Sequence, residues 1–238
     1  MDILAGVLPV RTCLLGFLAM FITMAISLIR LRGRDLKREI PLLGAVSAAM
    51  LVVMSLEILP IVYHINLSVV AGIPLGMSLV FLAAFSTNLV LAFMGSGNVT
   101  SIGLNTLLLG AGAILGHTLF FVFPKKLPVF WRAAVATVLT LFITTIALIG
   151  IVAASHLEPD LFSYEHQGHG LEQRVVHDEQ LSVSRFATVV LILGSVGWII
   201  EAAISGAVVS FIARVKPDLL RQVFRRENAH RAGGLRDD

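Results

Sequence analysis

"YHINLSVVAGIPLGM", Tyr63 to Met77, interrupts a part of the chain that is otherwise almost wholly apolar. It places a histidine, an asparagine, two glycines and a proline where a membrane-spanning helix has least use for them. Lipid cannot hydrogen-bond freed backbone groups, so irregular backbone at membrane depth needs protein or a water-filled cavity around it. Discontinuous helices are also where transporters hold ions. The stretch is therefore a candidate site. The plainer alternative is a kink, because Pro and Gly are common in membrane helices.

The apolar setting is general. Of 238 residues, 57% are hydrophobic and 14% charged, and the mean hydropathy is +0.90. Soluble domains carry roughly a quarter charged residues. Long apolar runs lie at 12–29, 41–62, 65–94, 99–123, 133–154 and 186–212. They are continuous rather than alternating, so the expected fold is all-α and polytopic. A single cysteine, Cys13, excludes an internal disulfide and a Cys-based zinc site. No cleavable leader is expected: "MDILAGVLP" has no basic stretch ahead of its apolar residues, and Arg11 follows it. The net charge of +3 and pI near 9.4 do not point to nucleic acid, because the basic residues cluster at the ends of apolar runs.

Those basic residues also count the spans. Segment 30–40 carries Arg30, Arg32, Arg34, Lys37 and Arg38, and segment 124–132 carries Lys125, Lys126 and Arg132. The tail from Arg214 adds seven more. The loop 155–185 has six acids against Arg174 and Arg185. The first three regions should be cytoplasmic and the last external. An even number of crossings must then separate 30–40 from 124–132, yet only three runs lie between. The run 65–94 is longer than one span needs and contains Gly72, Pro74 and Gly76. Splitting it near Gly76, into a short crossing over 65–76 and a fuller helix over 77–94, gives about seven crossings. The N-terminus is then outside and the C-terminus cytoplasmic. The expected layout is one transmembrane domain over 1–238. It has an inserted segment 1–11, an external acidic and His-rich loop 155–185, and a basic cytoplasmic tail 213–238.

Few polar groups lie within the runs. Glu57 and Glu201 are the carboxylates well inside spans, where a charge costs roughly 2.5–3.5 kcal/mol on insertion scales. Glu57, seven residues before His64, either supports a site there or sits at an interface. Glu201, close to Trp198, reads as packing. Asn66, Asn88, Asn98 and Asn105 read as hydrogen-bonding glue between helices, and His117 as a packing histidine. "GSGNVTSIGLN" (95–105) resembles a second broken helix start. Gly44/Ala48 and Ala45/Ala49 form small-x-x-x-small pairs that suit close docking, internally or on a partner subunit. His156, His166, His169 and His177 lie in the loop, where "HQGH" has chelating spacing and solvation is the simpler reading. No Walker motif, nucleophile elbow or paired-carboxylate hydrolase pattern occurs, so no enzyme is expected. Uphill transport would need an ATPase partner or an ion gradient.

Several pieces together resemble the CbiM/NikM family, the substrate-binding S components of energy-coupling-factor transporters for cobalt and nickel. The chain opens "MDILAGVLP", where the family reads Met-His-Ile-Met-Glu-Gly-Phe-Leu-Pro. "PLLGAVSAAMLVVMS" is similar to the family's Pro-Leu-Leu helix, and "SIGLN" (101–105) to its Leu-Gly-Ala-Asn. "EAAISGAVVSFIARVKPDLL" (201–220) resembles its closing Glu-Ala-Leu-Ile-Thr helix and Arg-Pro-Asp-Leu-Leu ending. The likeness runs through residue 220 and weakens over 155–185. The family's His-Pro-Thr-Gly-Thr-Gly segment, laid on without a gap, puts its histidine on His64 and its Gly-Pro on Gly76–Met77.

The resemblance implies a metal held by the N-terminal amine of Met1, by residue two and by His64. Residue two is Asp2 here where the family has histidine. A free amine and an adjacent β-carboxylate still chelate a divalent cation, but an oxygen donor favours harder ions such as manganese or ferrous iron. The implied role is capture of a divalent metal, cobalt or nickel, as transported substrate, with no catalytic cofactor. The implied partners are a transmembrane T component, ATP-binding subunits and a small accessory membrane subunit, in a prokaryotic inner membrane and without nucleic acid. The resemblance also implies that the cobalt taken up feeds cobalamin synthesis. The alternatives are an S component for another metal or a non-metal, and a membrane structural protein with no ligand.

Overall fold

The computed structural model describes residues 10–32, 36–37, 39–55, 57–59, 63–95, 99–124, 126–156 and 183–219. Its elements are α1 (Val10–Leu31), α2 (Glu39–Ser55), β1 (Glu57–Leu59), β2 (Tyr63–His64) and α3 (Ser68–Phe93), then a 3₁₀ turn (Val99–Ser101), α4 (Ile102–Val122), α5 (Val129–His156) and α6 (Val183–Val215). Among the described residues, five helices are long and apolar enough to cross a membrane; α2, at 17 residues, is a shorter apolar helix.

Two features depart from simple helical spans, and both involve the stretch Tyr63–Met77. The apolar run 41–62 is not one helix. It is helical to Ser55, and β1 then pairs antiparallel with β2, a two-stranded hairpin with Glu57 opposite His64 and Leu59 opposite Tyr63; residues 56 and 60–62 lie outside the described residues. The chemistry of Pro60 accounts for the change, since a residue before proline is pushed from helical to extended backbone. The run 65–94, by contrast, breaks where the charge count requires. Gly76 has φ +72° and ψ 176°, inside what is otherwise helix α3. Glycine reaches positive φ without a Cβ clash, and Pro74 just before it offers no N–H to the helix. Counting α3 as two segments gives seven α-helical segments among the described residues, one of them short. Residues 68–75 make about two turns, roughly 12 Å of a hydrocarbon core about 30 Å thick. Of the segment 95–105, residues 96–98 lie outside the described residues, and Val99–Ser101 form a 3₁₀ turn that runs directly into α4.

Helices α3 and α4 form the buried centre. They approach backbone to backbone: a Cβ on Gly72 would run into the Ala113 carbonyl. Small residues permit this distance, which is how membrane helices gain packing without a hydrophobic drive between them. Across the same pair, Asn88 Nδ2 donates to Thr106 Oγ1 at 3.3 Å, the glue role expected of that amide. Helix α1 docks on α4 through Gly16 and Gly103; a Cβ on Gly103 would lie 2.6 Å from Phe17 N. Helix α2 lies on α3 through buried Met50 and Met54, and the Ser47 and Ser86 hydroxyls sit 3.2 Å apart. Its Gly44, Ala45, Ala48 and Ala49 are all exposed, and nothing lies within 4 Å of a Cβ built on Gly44. The small-residue face is therefore not used for packing among the described residues.

Helices α5 and α6 pack along their lengths, with Gly206 against Phe130 and Phe142 edge-on to Trp198 at 5.9 Å. Arg132 is more than a topological charge. It is buried in the first turn of α5, its Nη2 donates to the Phe120 carbonyl at 2.6 Å, and its guanidinium lies 4.4 Å from the Phe120 ring centroid. Phe120 O belongs to the last turn of α4, whose carbonyls have no helical partner and carry the negative end of the helix dipole.

Candidate functional site

The site is built from the hairpin and the start of α3. His64 ends β2 with its backbone in register with Glu57. Three residues separate it from Ser68, where α3 begins. Asn66 shapes that turn: its Oδ1 accepts the Ser68 N–H at 3.1 Å. Such a contact is an Asx turn just ahead of the N-cap Leu67, and the same N–H also lies 2.7 Å from the Asn66 carbonyl oxygen. Ile65, Leu67 and Ser68 are buried, so the turn is enclosed by protein.

The turn is also tied to a distant part of the chain. Glu201, on α6, accepts the backbone N–H of Asn66 on its Oε2 at 3.1 Å. Glu201 is 0% exposed, which makes this a buried carboxylate in the membrane-spanning part of α6. Its position close to the first turn of α3 also suits the positive end of that helix. One turn earlier on α6, Trp198 lines a cavity of about 20 Å³ together with Asn66, Leu108, Leu141, Thr144, Thr145 and Leu148. That is room for about one water.

The sequence reading of Glu201 as packing is thus incomplete, because it is bonded directly to the segment that carries His64. The available signal was the cost of an intramembrane carboxylate, which marks such residues as functional by default. Which element it would meet could not be read from 135 residues away. His117 does behave as a packing histidine. It is 1% exposed, its Nδ1 lies 3.0 Å from the Gly72 carbonyl oxygen, and its ring meets Phe121 at 4.6 Å.

Of the three expected metal ligands, His64 has its backbone placed in the hairpin, while Met1 and Asp2 lie outside the described residues. So do His166, His169 and His177 of the loop and most of the basic tail. Among the described residues, no group of three or more His, Cys, Asp or Glu converges as a metal site.

Comparison with known proteins sets these features in context. No curated protein sequence matches the chain. Among solved structures, it superposes on a crystal structure of a transition metal transporter with a TM-score of 0.73 and 19% identity, covering 94% of this chain and 99% of that one. A truncated transition metal transporter gives 0.71, also at 19% identity, covering 90% and 99%. At that identity the likeness speaks to the fold. The sequence profile of CbiM, described as the cobalt uptake substrate-specific transmembrane region, matches residues 2–219. With nearly the whole chain covered, including the broken helix and the carboxylate-anchored turn before it, the protein belongs to the CbiM family of membrane metal-uptake components.

Proposed function

We propose that this chain is the substrate-capture subunit of an energy-coupling-factor transporter that imports a divalent transition metal, cobalt or nickel. The family match over residues 2–219 carries the reading. The enclosed turn at 65–68 supports it, because a polar segment held by protein at membrane depth is what an ion site there requires. The ligands would be the amine of Met1, Asp2 and the His64 imidazole. Neutral imidazole and amine nitrogens suit cobalt and nickel, and the carboxylate of Asp2 adds an oxygen donor. The chain carries no nucleotide-binding motif, so ATP hydrolysis would fall to separate subunits, coupled through a transmembrane T component.

Elemental analysis of the purified protein, with and without His64→Ala, tests the capture step. The expected result is about one metal ion per chain, lost in the variant. An unmutated chain that retains no divalent metal from saturating cobalt or nickel would overturn the reading. Dependence on ATP-binding subunits is tested separately, by uptake in vesicles with and without those partners. The substitution of Asp2 for the family's histidine favours one second reading, a harder metal such as manganese or ferrous iron in the same site.

A further inference from the structure

We propose that the outer groove between α5 and α6 holds one acyl chain of an anionic phospholipid, whose headgroup sits on exposed cations at the groove's mouth. The site owes nothing to metal capture. The groove has a volume of about 410 Å³, and its lining is almost wholly apolar. Ala134 and Ala202 are buried in its floor, while Trp131 and Val138 on α5 and Ile199 on α6 stand exposed along its sides. Ala203 also lines it and is exposed. Both helices are long and apolar enough to span a membrane, so the groove opens on lipid. Lipid wets any exposed face of a spanning helix. A groove with a small-residue floor does more, because one chain can touch two helices at once and dispersion grows with each contact.

Charge selects the lipid. Gly206 packs on Phe130 in the first turn of α5, so the two are level. The groove therefore starts at the end of α5 that carries the basic turn, and runs about 12 Å inward from Trp131 to Leu139. Lys126 is exposed in that turn, three residues before Val129 opens α5. Eight residues beyond Gly206, about 12 Å along α6, Arg214 is exposed, as is Lys216 just past the helix. Against these three cations, the described ends of the two helices carry one acid, Asp218. Arg132 is buried and committed to Phe120 O. A phosphate is therefore attracted to the mouth while its chain lies in the groove. Trp131 in the first turn suits the same depth, since tryptophan favours the headgroup boundary. A second copy of this chain in the same membrane would bring the same cations to the same depth, and like charges disfavour that occupant.

The test uses the full-length protein in detergent and native mass spectrometry. It is titrated with dioleoyl phosphatidylglycerol, or with dioleoyl phosphatidylcholine, which has the same chains and no net charge. The parent should bind phosphatidylglycerol about fivefold or more tightly than phosphatidylcholine. Ala203→Leu, which fills the groove from an exposed position, should abolish that preference. Lys126→Gln and Lys216→Gln should each lower phosphatidylglycerol affinity about fivefold and leave phosphatidylcholine binding unchanged. Melting curves without added lipid show whether each variant folds. Equal affinity of the parent for the two lipids would overturn the proposal, because any acyl chain would then serve. So would an Ala203→Leu protein that keeps the preference, since the lipid would then sit elsewhere. Dimers that Ala203→Leu dissolves would assign the groove to a second copy instead. If Ala203→Leu does not fold, the lysine variants decide alone: a preference unaltered in both overturns the assignment.

Discussion

The imidazole of His117 on α4 reaches the backbone of α3, with Nδ1 3.0 Å from the Gly72 carbonyl oxygen. The contact falls one turn before the break at Gly76, where the backbone leaves helical dihedrals. With its proton on Nδ1, His117 donates to that carbonyl and ties the two central helices together just ahead of the break. His117→Ala would remove the donor and leave space in a packed centre. The expected loss is about 2–4 kcal/mol, combining a lost buried hydrogen bond and a cavity. His117→Gln keeps an amide donor and should recover part of it. Thermal unfolding in detergent measures both; a His117→Ala protein that melts within about 2 °C of the original would count against the contact.

The same central pair makes a second prediction, on glycines that look alike in sequence. Gly103 brings α4 against the backbone of Phe17, so Gly103→Ala forces α1 away from α4. Overpacking of this kind costs about 1–3 kcal/mol. Gly44 faces open space, and Gly44→Ala should leave the isolated chain unchanged or more stable by up to about 1 kcal/mol, the usual helix preference for alanine. Paired melting curves decide the matter: equal destabilisation by both substitutions would contradict the packing described. If the exposed face of α2 meets a partner, Gly44→Ala should show its effect in assembly rather than in folding.

Much of this arrangement was legible beforehand, for identifiable reasons. The break at Gly76 was found because basic residues are confined to one side of a membrane, which makes crossings countable, and because Gly and Pro mark where a helix can fail. The hairpin at 57–64 was missed, since an apolar run of strand length looks the same as helix when nothing alternates. The link from Glu201 to Asn66 was missed for a different reason. Burial cost showed that Glu201 needed company, but its partner is a backbone N–H contributed by a turn, and no residue type advertises that. Arg132 was read as a topological charge when it also caps α4, because a cap supplied from the next helix leaves no local motif.

Arg132 gives the third prediction. Its guanidinium donates to Phe120 O and lies over the Phe120 ring at once, which needs a flat, forked cation. Arg132→Lys keeps the charge but cannot satisfy both contacts in that geometry. It should cost about 1–2 kcal/mol, from a weakened charge-assisted bond and a poorer ring contact. Arg132→Ala loses both and should cost more, about 2–4 kcal/mol. Chemical denaturation of the two variants against the parent gives the order. Lysine matching arginine would show that charge alone suffices at this helix end.

The last prediction concerns residue two, where this chain departs from its family. If Met1, Asp2 and His64 hold the metal, Asp2→His exchanges an oxygen donor for an imidazole and leaves a nitrogen-only set. Nickel and cobalt gain more from imidazole than manganese does, because carboxylate suits the harder ion. The Ni²⁺-to-Mn²⁺ affinity ratio should therefore rise by about tenfold or more in Asp2→His. His64→Ala in the same background should abolish the gain, since one imidazole alone would not complete the set. A one-residue extension before Met1 should weaken both proteins, because it moves the free amine out of register with residue two. Competition titrations with the two metals on the parent, the two variants and the two extended proteins give these ratios directly. If Asp2→His leaves the ratio where it was, residue two is not a ligand, and the specificity of this chain resides elsewhere.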